Sequence, residues 1–244
     1  MLLEAPVFNF KAALEAAEYG VNRIELCANF PEGGETPSVG MLKMLKAEID
    51  IPIFCMIRPR GGNFYYSDKE ISIMKDDIKI LRDYGADGFV FGALDSQGNI
   101  NKEACETLLR TSSGLPCTFH RAFDACRNQE ESLESLIHLG FERILSSGGK
   151  NTVSEGLGQL LNLLKQAEDR IIIMPGGGTK KGHITELNVD GRLKEIHASC
   201  KELKKNECEY INPEVSFSDD PKNFSHYLGV NREMVEEFLK EMNG

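Results

Sequence analysis

The stretch Ile51–Ser67, IPIFCMIRPRGGNFYYS, decides the reading of the fold: a short apolar run ends abruptly in two arginines and two glycines. The run is too short for a useful helix and is bounded by Pro52 and Pro59, so it reads as a buried strand that opens into a loop. Pro59 fixes its own φ, and Gly61 and Gly62 can take backbone angles closed to other residues. The loop can therefore hold Arg58 and Arg60 with little slack. Two guanidiniums held in this way suit a carboxylate or a phosphate; a surface turn carrying two solvated arginines is the competing reading.

The same unit repeats on both sides of this stretch. Downstream, Ser67 and Glu70 form a capping box for a helix through Leu81 that stops at Gly85. The strand GFVFG (Gly88–Gly92) follows, with a helix from Asn101 to Leu109. CTFH (Cys117–His120) is followed by a helix from Asn128 to Leu139, RIL (Arg143–Leu145) by one from Ser154 to Ala167. IIIM (Ile171–Met174) is followed by PGGG and a weaker helix, then by EIHA (Glu195–Ala198). Upstream, a strand around Leu2–Glu4 precedes a helix capped by Asn9 and ending at Gly20, and RIELC (Arg23–Cys27) precedes a helix capped by Ser38. Eight such strands predict a closed (β/α)8 TIM barrel, because parallel strands need right-handed crossovers and eight of them close without leaving edges. An open doubly wound sheet is the alternative, although the G-x-G-x-x-G turn of dinucleotide binders is missing after the first strand. Residues 1–244 read as a single domain in which 201–230, polar and poorly periodic, form a long loop and 231–242 a final helix.

Composition narrows the function. With 41% apolar and 27% charged residues and a net charge of −10, the chain reads as a globular protein that does not bind nucleic acid. No run approaches the roughly 20 apolar residues of a membrane span, and no leader pattern is present, so it reads as cytoplasmic. Seven scattered cysteines without a C-x-x-C pair argue against a disulfide framework and a structural zinc site.

Active sites of such barrels lie at the C-terminal ends of the strands, and there the polar residues converge. Glu4, Glu25 with Cys27, Arg58 and Arg60, His120 with Arg121 and Asp124, Ser147 with Gly148, Gly176–Gly178, and His197 with Ser199 all fall at one rim. His120 and His197 are the acid–base candidates, with Glu4, Glu25 and Asp124 as carboxylates that orient them or share the proton. The glycine turn Gly176–Gly178, completed by Ser147 and Gly148, suits an anion held with Arg58, Arg60, Arg121 and Ser199. A small anionic ligand is the expected partner. Alternation places Cys55 on the face opposite Arg58, packed against helices.

With RIELC, GGETPS, MIRPRGG, YSDKE, GADGFVFGAL, TFHRAFD, LSSG and MPGGG in this order, the chain resembles the CutC copper homeostasis protein family from about Leu3 to Ser199. The resemblance implies a cytosolic (β/α)8 barrel, often a homo-oligomer, linked to copper tolerance, with copper(I) as the implied ion and Cys27 of the E-L-C motif as its candidate metal ligand. Pro6 stands where family members carry a second cysteine considered as a copper ligand. Copper(I) prefers thiolate and thioether ligands, whereas this rim is rich in carboxylates and guanidiniums. Two functions therefore stand: copper homeostasis, with or without direct copper binding, and an enzyme acting on a small phosphorylated or carboxylated metabolite by His/carboxylate acid–base catalysis.

Overall fold

Strands and helices alternate from the first residues. β1 (Leu2–Val7), α1 (Phe10–Glu18), β2 (Arg23–Leu26), α2 (Val39–Glu48), β3 (Ile53–Met56), α3 (Asp68–Asp83), β4 (Gly88–Phe91) and α4 (Lys102–Thr111) make the first half. β5 (Cys117–Phe119), α5 (Gln129–Leu139), β6 (Arg143–Ser146), α6 (Val153–Ala167), β7 (Ile172–Pro175), α7 (Gly182–Leu187) and β8 (Glu195–His197) make the second. The computed structural model describes residues 1–215 and 222–243. The strands pair in parallel in the order β7-β6-β5-β4-β3-β2-β1-β8, and β8 also lies against β7. A last strand that touches both β1 and β7 closes a (β/α)8 TIM barrel and rules out the open doubly wound sheet.

Local chemistry sets the helix starts. Asn9, Ser38, Asn101 and Asn128 each accept a first-turn backbone N–H, and Ser67 with Glu70 forms the expected capping box. A second box, Thr152 with Glu155, starts α6 at Val153.

Side chains alternate between two layers along each strand. Leu3, Ala5, Ile24, Ile53, Cys55 and Phe89 face outward into the apolar layer beneath the helices, which is where Cys55 was expected. The barrel interior is charged. Arg23 Nε donates to Glu4 Oε2 at 2.5 Å, Arg23 Nη2 also donates to Glu195, and Arg143 Nε donates to the same Glu195 oxygen at 3.1 Å. Both guanidiniums lie over the Phe54 ring, 4.7 and 5.1 Å from its centroid. Gly88 makes room for that ring, since a Cβ there would sit 2.6 Å from it.

The predicted loop over 201–230 is corrected by the structure. β9 (Lys201–Lys205) pairs antiparallel with β10 (His226–Val230), after the single turn α8 (Lys222–Ser225), and α9 (Arg232–Asn243) follows one residue later than expected; residues 216–221 of that stretch lie outside the described residues. KELKK is a polar ribbon with no apolar alternation. It is held instead by α1: Glu15 accepts from Val230 N and Tyr227 Oη, and Asn9 Nδ2 donates to Leu228 O.

Candidate active site at the barrel mouth

A cavity of 380 Å³ opens at the C-terminal ends of the strands. Of the residues singled out from sequence, Glu25, Arg58, His120, Arg121, Gly177, Gly178, His197 and Ser199 line it. Phe8, Phe30, Glu32, Met56, Phe64 and Lys201 are also part of the wall and were not foreseen.

Glu25 and His197 on its wall form a group with Glu4, which is buried behind them, and the ligating atoms of the three lie within 4.8 Å of one another. β1 and β8 pair in register at Glu4 and His197, which brings His197 Nδ1 to 2.8 Å from Glu4 Oε1. His197 Nε2 then stands 3.9 Å from Glu25 Oε2, and the Cys27 thiol donates to the same Glu25 oxygen at 3.5 Å. Burial pushes Glu4 up, but the Arg23 guanidinium and the His197 bond outweigh it and hold the carboxyl at about 2. Glu25 lacks such a partner. Burial dominates there, only partly countered by His197, and lifts its carboxyl to about 7, while Glu25 Oε1 has no hydrogen-bond partner among the described residues. Burial opposes the charged form of His197, but Glu25 and Glu4 together raise its pKa above the ordinary value. Glu4 is thus a fixed anion that orients the imidazole, and Glu25, 3.9 Å from His197 Nε2, is the carboxyl whose charge burial opposes.

The arginines behave differently from expectation. Arg58 Nη1 donates to Glu32 O at 2.5 Å and Gly34 O at 2.9 Å, and Nη2 to Gly62 O at 2.8 Å, so the guanidinium ties two mouth loops together. Arg60 lies outside the cavity, bonded to Glu70 at 2.5 Å and to the carbonyls of Gly61, Asn63 and Tyr65. Arg121 donates to Asp124 and Ser147, each at 2.7 Å, and keeps its Nη1 without a partner among the described residues.

Asp124, Ser147 and Gly148 do not line the cavity. Asp124 is a loop staple: its carboxylate accepts from Ser146 Oγ at 2.6 Å and from the backbone N–H groups of Ser147 and Gly149 at 3.0 Å. Gly148 packs against α6, where a Cβ would come 2.3 Å from Gly156 O. Gly176 is wedged beside Leu145 and His197. His120 lines the wall as a capping residue. Its Nδ1 accepts the Ala122 N–H at 3.2 Å, so the ring proton sits on Nε2, which has no acceptor among the described residues. Burial and the nearby Arg58 push its pKa down to about 3, so the ring is neutral.

Sequence alternation carried one unused signal. Arg23, Glu25 and Cys27 are two apart along the strand, so Arg23 had to share the inward face with them.

A donor set of two carboxylates and an imidazole is too hard for copper(I), and Arg23 and His197 already occupy Glu4. The softer atoms are Cys27 Sγ and Met56, which flank Gly34: a Cβ there would be 3.3 Å from the sulfur and 3.5 Å from Met56 Cε. Burial raises the Cys27 thiol well above its ordinary pKa, with Glu25 adding to it, so the thiolate forms only when a cation compensates.

The closed barrel, with an ionisable cavity at its strand ends, defines the chain as a TIM-barrel protein. Sequence comparison is more specific. The chain matches the CutC family over residues 1–202 and belongs to it. It is 44% identical to the human copper homeostasis protein cutC homolog, with 88% of this chain and 79% of the human protein covered. A CutC family protein of Bacteroides fragilis is 41% identical, covering 88% and 86%. The crystal structure of CutC from Streptococcus agalactiae superposes with a TM-score of 0.76 at 36% identity, covering 82% of this chain and 98% of that one.

Proposed function

We propose that this chain acts in copper homeostasis, the role for which some of its relatives are named, and that its molecular work is acid–base catalysis on a small anionic metabolite at the barrel mouth. The observation that carries the catalytic part is the Glu25 carboxyl held at about 7 beside an imidazole that Glu4 orients. A purely structural barrel has no need of a buried carboxyl whose second oxygen lacks a partner. The seven unpaired cysteines fit a reducing, cytosolic setting.

The test is a carboxyl-resolved titration by carbon-detected NMR. Glu25 is expected to titrate near pH 7 and to move in Glu4→Gln; an ordinary carboxylate midpoint for Glu25 sinks the catalytic reading.

The second reading, direct copper(I) binding, is favoured by Cys27 Sγ and the Met56 side chain, which pack together beside Gly34. It predicts that Cys27→Ala loses copper(I) retention and that Met56→Leu weakens it. Unchanged retention in Cys27→Ala removes Cys27 as a ligand.

A further inference from the structure

The cavity is apolar on one side and rich in donors on the other. In a closed eight-strand barrel each strand faces the one four places on, so the loops after β1, β2 and β3 look across the mouth at those after β5, β6 and β7. Phe8, Phe30, Met56 and Phe64 come from the first group, and Arg121, Gly177 and Gly178 from the second. Glu25 and Glu32, the carboxylates of the wall, also stand with the first group.

Arg121 is held on two of its three nitrogens. Nε donates to Asp124 Oδ2 at 2.7 Å, and Nη2 to Ser147 Oγ at 2.7 Å and Lys150 O at 3.0 Å. Nη1 has no partner among the described residues and is fixed beside Gly177, where a Cβ would come 3.0 Å from Arg121 Cζ and 3.2 Å from Nη1. Gly177, with φ of +108°, is therefore what lets the guanidinium lie so close to the turn. The turn is itself pinned: Gly176 N donates to Ser146 O and Val153 N to Gly177 O, both at 2.9 Å, whereas Gly177 N and Gly178 N have no acceptor among the described residues. A guanidinium with one nitrogen left cannot clamp a planar carboxylate through two parallel bonds, but one such nitrogen beside successive N–H groups of a turn is a donor set for a tetrahedral oxyanion. Arg58 adds charge to the same wall: it is buried, its Nη atoms go to backbone carbonyls, and it makes no ion pair among the described residues. An anionic guest offsets that charge.

The facing wall is built to meet carbon. Met56, Cys27, Phe54 and Val90 form a small apolar cluster apart from the main core, with Phe8 packed on it. Phe30 meets Phe8 edge to face, ring centroids 5.1 Å apart, and stays 39% exposed even with Lys201 Nζ 4.4 Å over its ring. Phe64, half-buried, continues this wall above β3. Aromatic rings left open at the rim of a cavity offer their faces to a flat apolar group.

We propose that the mouth takes a phosphate monoester with a flat apolar body, its phosphate on Arg121 Nη1 and the Gly177 and Gly178 N–H groups and its body against Phe8, Phe30 and Phe64. This rests on the reading of the mouth as a site for a small anionic metabolite and takes no step through Glu25.

Calorimetry with inorganic phosphate, glycerol 3-phosphate, phenyl phosphate and phenylacetate tests head and body separately. Phenyl phosphate is expected to bind at least about tenfold more tightly than each of the other three. Phe30→Ala, at an exposed position, should remove most of its advantage over inorganic phosphate and leave inorganic phosphate unchanged. Arg121→Gln should weaken both by about tenfold. Because Arg121 also ties down the loop after β6, nitrogen-15 amide shifts of Gly177 and Gly178 in the unaltered protein report on the seat independently, and both should move on adding phenyl phosphate. Amides that stay in place at saturation overturn the seat whatever Arg121→Gln does. Phenylacetate bound as tightly as phenyl phosphate overturns the tetrahedral head. Glycerol 3-phosphate bound as tightly, or full phenyl phosphate affinity in Phe30→Ala, overturns the apolar body, and absence of binding by both esters overturns head and body together. Such a failure while Glu25 titrates near pH 7 leaves the acid–base reading standing; phenyl phosphate held at these groups while Glu25 titrates as an ordinary carboxylate keeps the site and removes the catalysis.

Discussion

Arg23 and Arg58 are both buried and both line up with strand ends in the sequence, yet they do opposite work. Arg23 sits in the barrel interior between Glu4 and Glu195, where its charge holds the Glu4 carboxyl low. Arg58 sits in the β3 wall of the mouth, and carbonyls of Glu32, Gly34 and Gly62 occupy its Nη atoms, so it fixes loop positions. One guanidinium is an electrostatic device and the other a tether. What separates them is the partner, an ionised carboxylate or a neutral dipole.

Removing Arg23 has the largest expected effect. Arg23→Met leaves Glu4 and Glu195 buried with fewer counter-charges, and breaking a buried pair from one side costs about 3–5 kcal/mol. Urea unfolding at pH 7 measures it, and a loss under about 1 kcal/mol would show that the interior does not depend on that charge.

Arg58→Ala should cost less, about 2–3 kcal/mol, from bonds between a charged donor and backbone carbonyls. It should also speed proteolysis within residues 29–37 and 59–66. If anion binding disappears while those loops stay protected, Arg58 is a ligand residue and the contrast with Arg23 collapses.

The two carboxyls beside His197 should give opposite pH signatures. Glu25 keeps its proton in the folded chain up to about pH 7, against an ordinary 4.5, so the folded state binds more protons between those values and loses stability as pH rises through them. Glu25→Gln removes that loss: on the order of 3 kcal/mol more stable than the parent above pH 8, and equal to it below pH 4. Glu4, held at about 2, contributes stability present above pH 4.5 and lost as pH falls through 2. Denaturant midpoints at pH 3, 4, 6 and 8 separate the two, and a flat Glu25→Gln difference would show that Glu25 titrates alike in both states.

The smallest effect belongs to Arg60→Ala, about 0.5–1 kcal/mol at most, because its pair with Glu70 is 39% exposed on the arginine side. A thermal scan resolves it, and a larger loss would make Arg60 a second tether.

These arginines also mark how far the sequence could be read. The barrel was legible because strands end in loop signals and most of the barrel helices begin on a cap, as at Asn9, Ser38 and Ser67. The rim was legible because chemistry gathers at strand ends, which brought Glu25, His120 and His197 into one cavity. Arg60 reads with Arg58 because both flank Pro59 in one loop, but beyond Met56, where β3 ends, the chain turns and carries Arg60 to Glu70 instead of the cavity. Asp124 resembled a proton carrier from its position, while its role as a staple depends on Ser146, Ser147 and Gly149, which lie more than twenty residues away. Lys201 belongs to a ribbon whose strands pair across about twenty residues of intervening chain and show no apolar pattern. Such partners are set by tertiary contact, and local sequence does not encode them.

The Phe54 ring, clasped by Arg23 and Arg143 over Gly88, plugs the barrel beneath the cavity. The chamber is a cul-de-sac. On the proposed function, a guest that enters past Phe30 and Phe64 meets that plug and leaves the way it came, so departure of one would precede arrival of the next.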